Sequence, residues 1–211
     1  MIMDDSHFKD WIESASQEEK KLYDRIYDFG DYFGDMLFEE DSSTGGMIKC
    51  QSGVGDDGCQ DDIVPLPDTF KCFSYNFFKL KVEPIKDYGG FFDEKEQLLC
   101  ISTENLDNDS AILHEMIHLH EFVVNEQPMF YHDTLLWALY TDLKSKIYGL
   151  DKAMSSCAQI MRGQSIYNKG GVHDILFLLK SMDLDIRMRY QLGTVYGYRA
   201  KEQLSGLKYK I

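Results

Sequence analysis

No apolar run in this 211-residue chain approaches the length needed to cross a bilayer. The opening residues, Met1-Ile2-Met3-Asp4-Asp5-Ser6-His7, are acidic where a secretory leader would be basic and then apolar. A transmembrane segment is therefore not expected, and a cytoplasmic location is. The five cysteines, Cys50, Cys59, Cys72, Cys100 and Cys157, are scattered and include no C-x-x-C pair, which argues against both a disulfide framework and a zinc ribbon. Basic residues are also scarce, 22 against 36 acidic ones, and the net charge of -14 opposes a surface broadly adapted to nucleic acid.

What the chain does have is a globular composition, 44% apolar with 13 Phe and 13 Tyr, and enough length for one domain with a well-buried core. Its charge is unevenly spread. Residues 1–142 carry 31 acidic and 10 basic side chains (-21), whereas residues 143–211 carry 5 acidic and 12 basic (+7). The tail can thus lie against the acidic body or touch an anionic partner. Arg187, Arg189, Arg199, Lys201, Lys208 and Lys210 could follow a phosphate backbone, although a solvated or internally paired tail explains them more simply.

Periodicity divides the chain into an acidic helical segment (1–45), a loop (46–68), a core (69–148) and a basic helical segment (149–211), read together as one domain. Phe8, Trp11, Ile12, then Leu22, Ile26, Phe29 and Phe33 recur at helical spacing among carboxylates. The Gly- and Asp-rich stretch around Gly53 to Gly58 should be an exposed loop, and it lacks the regular oxygen-ligand alternation of an EF-hand. A strand is expected within Phe70 to Val82, and a hairpin from Gly89–Asp93 and Gln97–Ser102 about the turn Glu94-Lys95-Glu96. A helix should start near Asp109, capped from the Asn105–Ser110 cluster, and stop before Pro128. Further helices are expected over 131–148, 152–162 and 172–190, with Met154, Met161, Met182 and Met188 as packing residues.

The helix from Asp109 carries His114-Glu115-Met116-Ile117-His118. Residues four apart lie one above the other on a helix, so His114 and His118 can share one tetrahedral zinc ion. Glu115 then stands beside the ion, suited to take a proton from its water and pass it to a leaving amine. Chance placement of these three residues in this register is on the order of 1% for such a chain. Ile112, Met116, Leu119 and Val123 form an apolar stripe beside the ligand face.

A third ligand is required. Glu121 lies about 10 Å along the helix from His114, and His120 is rotated by about 200° from His118, so neither converges with the pair. A segment returning after Pro128 is better placed, and His132 is its histidine; Glu126 and His173 are the alternatives. Asp133 could fix an imidazole N–H or be a solvated helix-start carboxylate, and Tyr131 could aid an oxyanion or simply pack.

The segments Gly89–Phe92 to Ile101-Ser102, His114–His118 and Phe130–Trp137 resemble the catalytic core of the SprT-like (Spartan-type) zinc metalloproteases, over about residues 86–148. Asp133 stands where that family has Gly, and no C-x-x-C ribbon follows the core. The resemblance implies that His114, His118 and His132 bind zinc and that Glu115 is the base. The expected fold is α+β and zincin-like: a small antiparallel sheet packed on an active-site helix, with additional N- and C-terminal helices. The expected function is hydrolysis of peptide bonds in a protein or peptide substrate. The competing reading is a non-catalytic zincin-like module in which zinc staples the fold and the surface binds a protein partner.

Overall fold

The computed structural model describes residues 13–34, 40–41, 47–49, 63–65, 79–96, 98–125, 129–152, 173–197 and 200–210. It is mixed α and β, with small sheets and several helices. The predicted helix at 152–162, Glu126, Val123's side chain and every cysteine but Cys100 lie outside what is described. Cys100 is a free, buried thiol. No described helix is long and apolar enough to cross a membrane.

Helix α1 (Gln17–Gly34) begins at a reciprocal cap. Ser16 Oγ accepts from Glu19 N at 3.1 Å, and Glu19 Oε2 accepts from Ser16 N at 2.8 Å. Its stripe Leu22, Ile26, Phe29 and Phe33 is buried as the spacing predicted, each side chain contributing roughly 1.5–3 kcal/mol. Arg25 ties α1 to the start of the site helix, donating to Leu106 O at 2.9 Å and pairing with Asp109.

Glu40–Asp41 (β1), at the end of the segment expected to be helical, and Met47–Lys49 (β2) and Ile63–Pro65 (β3), within the stretch expected to be loop, form an antiparallel sheet in the order β1-β2-β3. The β-branched residues of Ile63-Val64 favour pairing, and the Gly- and Asp-rich stretch around Gly53 to Gly58 lies outside the described residues.

The second sheet comprises β4 (Lys79–Glu83), β5 (Gly90–Asp93) and β6 (Leu98–Ser102) in the order β4-β6-β5. The β5–β6 hairpin forms where expected, with Phe91 opposite Cys100. The sheet is not purely antiparallel, however, because β4 pairs with β6 in parallel, Leu80 opposite Leu99. Residues 84–89 carry the chain across to the far edge, so β6 becomes the central strand. Its run Leu99-Cys100-Ile101-Ser102 is buried throughout, as befits a strand covered on both faces.

Helix α2 (Asp109–Asn125) packs on this sheet, with Ile112, Leu113, Met116, Ile117 and Leu119 buried. Asn108 caps it, its carbonyl accepting from Ile112 N at 3.2 Å. Helix α3 (Met129–Lys146) leads into β7 (Ile147–Tyr148), which pairs with the C-terminal β8 (Lys208–Tyr209). Helix α4 (Ile175–Arg187) runs through the core, packed against α2 and α3, and every residue from Leu176 to Asp185 is buried. It stops at Arg189, whose φ of 57° lets Tyr190 N reach Asp185 O at 2.7 Å. A short helix α5 (Ala200–Gln203) follows.

Candidate metal centre

Helical spacing brings His114 and His118 together as expected, with ring centroids 5.1 Å apart. The third imidazole beside them is His173, 5.0 Å from each. One ligand atom from each of the three lies within 4.8 Å of the other two. His114 Nε2 and His173 Nε2 are 3.0 Å apart. Donors bonded tetrahedrally to zinc at about 2.05 Å stand about 3.3 Å apart, so the His114–His173 pair is close to metal-binding spacing and the remaining donor has at most about 1.5 Å to close.

Three elements set this geometry. Residues 114 and 118 share a face of α2, while His173 sits just outside α4, before its N-cap. That cap is Asp174, whose Oδ1 accepts from Phe177 N at 3.0 Å. Phe177, one turn on and fully buried, places its ring 4.7–4.8 Å from all three imidazoles and gives the centre an apolar wall. Tyr196 packs 5.7 Å from both His173 and Phe177. His114 Nδ1 is 2.9 Å from Val195 O. A carbonyl only accepts, so His114 carries its proton on Nδ1 and presents the Nε2 lone pair to its neighbours.

Burial keeps the three rings neutral, the form that binds metal. It lowers the pKa of His114 against the opposing Val195 and Tyr196 carbonyls. Burial, aided by the neighbouring histidines and, at His118, by the Lys180 charge, takes His118 to about 3 and, against the Asp174 carboxylate, His173 to about 4. Glu115, 7% exposed, is raised to about 8 by burial alone. Gly90 makes room for it, since a Cβ there would meet Glu115 Cγ at 2.9 Å and Cys100 O at 2.7 Å. The glutamate therefore lies where α2 meets the edge strand β5.

His132, the expected third ligand, is placed differently. Its Nε2 is 3.7 Å from Asp174 Oδ2 and its Nδ1 is 3.5 Å from Asp133 Oδ1. The Asp174 carboxylate raises its pKa against burial, a shift towards the imidazolium form and away from the neutral ring that binds metal. His120 and Glu121 stay out of the triad, as helix geometry required. His120 is fully buried against Lys180 of α4 and 5.7 Å from Phe33. Asp133 is exposed beside His132.

Local sequence distance favoured His132, because it opens the helix that follows α2. His173 reaches the centre only through the docking of α4, a tertiary event. Its signal was the Asp174 cap ahead of the apolar run Ile175-Leu176-Phe177-Leu178-Leu179, which sets His173 at a helix mouth. Among the described residues no fourth His, Cys, Asp or Glu joins the three. No family model matches this chain, and neither a curated protein nor a solved structure matches it.

Proposed function

We propose that this protein is a zinc-dependent metallopeptidase of zincin-like architecture, akin to the SprT-like proteases that its sequence resembles. One observation carries the reading: three neutral imidazoles converge on one point, and the residue next to His114 on the same helix is a buried glutamate that meets no basic side chain among the described residues. When bound, zinc would supply a Lewis acid for the scissile carbonyl and bring the pKa of water towards neutrality. His114, His118 and His173 would hold it.

Glu115 does the proton chemistry. Its carboxylate accepts a proton from the attacking water and returns it to the departing amine. A pKa near 8 sits close to that task, and Glu115 ionises more readily beside a bound cation. Phe177 excludes water from one side of the triad. Among the described strands β5 pairs only with β6, so an extended peptide adding to its other edge would pass along the strand that covers Glu115.

The alternative, a structural zinc in a non-catalytic module, calls for a fourth protein ligand, and the three histidines found among the described residues favour an open position. The test is hydrolysis of an unfolded protein by the zinc-loaded chain. Cleavage that a chelator stops, that zinc restores and that Glu115→Gln lacks supports the peptidase. Equal residual cleavage by the native protein and Glu115→Gln removes Glu115 from the mechanism, and absence of any cleavage leaves the structural-zinc reading.

A further inference from the structure

Beyond the three histidines, one more side chain is linked to the centre through the backbone. Asp185 lies in the last turn of α4, fully buried, and its carboxylate gathers three consecutive backbone N–H groups. Oδ2 accepts from Gly193 N at 2.6 Å and from Thr194 N at 3.2 Å, and Oδ1 accepts from Val195 N at 2.9 Å. The segment so held is the one whose Val195 carbonyl accepts from His114 Nδ1. Leu192 and Val195 anchor it in the core at 5% and 1% exposure. Gly193, at φ 88°, passes so close to α5 that a Cβ would lie 2.6 Å from Lys201 N. The Val195 carbonyl therefore has little freedom of its own.

We propose that Asp185 is the positioning residue of the three-histidine centre, fixing the Val195 carbonyl and through it the ring orientation and Nδ1–H tautomer of His114. This rests on the reading of the centre as a zinc site. Helix α4 then sets two of the three ligands, His173 directly at its start and His114 indirectly from its end. A carboxylate suits the task because every lone pair can accept. Asn at this position would turn an N–H towards one of three N–H groups, and a rotated Val195 carbonyl would release His114.

The experiment compares zinc affinity, by competition with a chelator, in the native chain and Asp185→Asn, alongside nitrogen-15 NMR of the His114 ring in the metal-free proteins. The proposal expects affinity to fall about 10- to 100-fold and the single Nδ1–H tautomer of His114 to give way to a mixture. Affinity and tautomer both unchanged in a folded variant would overturn it. A third measurement needs only the native chain. Coupling between two sites is reciprocal, so zinc should slow amide exchange at Gly193, Thr194 and Val195. Exchange there indifferent to zinc would overturn the proposal even if Asp185→Asn did not fold. A native chain that binds no zinc would instead sink the metal centre itself, and this inference with it.

Discussion

Helices α2 and α4 build two polar clusters side by side, and the two contain glutamates of nearly equal pKa for different reasons. Glu115 and Glu121 are both raised to about 8. For Glu115 burial is the whole cause. For Glu121 burial is opposed by Lys180 and reinforced by Asp174. Lys180, fully buried, is pulled down to about 8 by burial while Glu121 and Asp174 resist. Burial also pushes Asp174 up, but His132 and the Phe177 and Leu176 N–H groups outweigh it and hold that carboxyl below its usual range. The second cluster thus answers its own charges. The first consists of neutral donors and one carboxyl that meets no basic side chain among the described residues, which suits a site that takes a cation, although Lys180 and Asp174 reach its edge at His118 and His173. Equal titration, on this comparison, hides opposite roles.

The largest expected effect separates the two glutamates in kinetics. Glu115→Gln should lower kcat about 10²- to 10⁴-fold with zinc content intact, whereas Glu121→Gln should leave kcat within a few-fold of native. A matched loss in both would erase the distinction. Next comes stability. Lys180→Met removes the buried group that hydrogen-bonds His120 and faces Glu121 and Asp174, and should cost about 1–3 kcal/mol in urea denaturation while the folded fraction still binds zinc. Loss of zinc by folded protein would mean that the two clusters are one.

Gly90→Ala drives a Cβ into Glu115 Cγ and the Cys100 carbonyl. About 1–3 kcal/mol of stability should be lost, with activity falling further than Tm suggests because Glu115 is displaced. The smallest effect is a pH slope. In the fold both glutamates keep their protons to about pH 8, but in the unfolded chain they lose them near 4.5. Unfolding therefore releases protons in between, and rising pH favours the unfolded chain. The site histidines act oppositely, since they charge only when unfolded, but that contribution ends above their ordinary 6.5. Lys180, pulled down from 10.5 to about 8, starts to oppose the glutamates near the top of the window. Metal-free protein should thus lose Tm above about pH 7, most clearly before pH 8, and Glu115→Gln should make that loss shallower. A flat or rising Tm in that window would contradict the assignment.

Much of the local architecture was legible in the residues. The stripe from Leu22 to Phe33, the hairpin about Glu94–Glu96 and the helix from Asp109 follow from spacing and turn chemistry, and they reappear in the structure with small shifts of boundary. His114 and His118 needed only the helical repeat. The parallel pairing of β4 was not legible, because nothing within Lys79–Glu83 says on which side of β6 the chain will cross. The third histidine of the described cluster was not legible for the same physical reason. His132 is near in sequence, but Asp174 claims it as a counter-charge, whereas His173 arrives only when the fully buried helix α4 docks against α2. The Asp185 staple was invisible too, since its partners are backbone N–H groups that no residue type announces.

The central claim is that His114, His118 and His173 hold the ion and that His132 does not. Elemental analysis of purified native protein, His173→Ala and His132→Ala, each loaded with zinc and desalted, tests it most directly. One zinc ion per chain in the native protein and in His132→Ala, with none in His173→Ala, is the predicted result. Zinc kept by His173→Ala and lost from His132→Ala would contradict it.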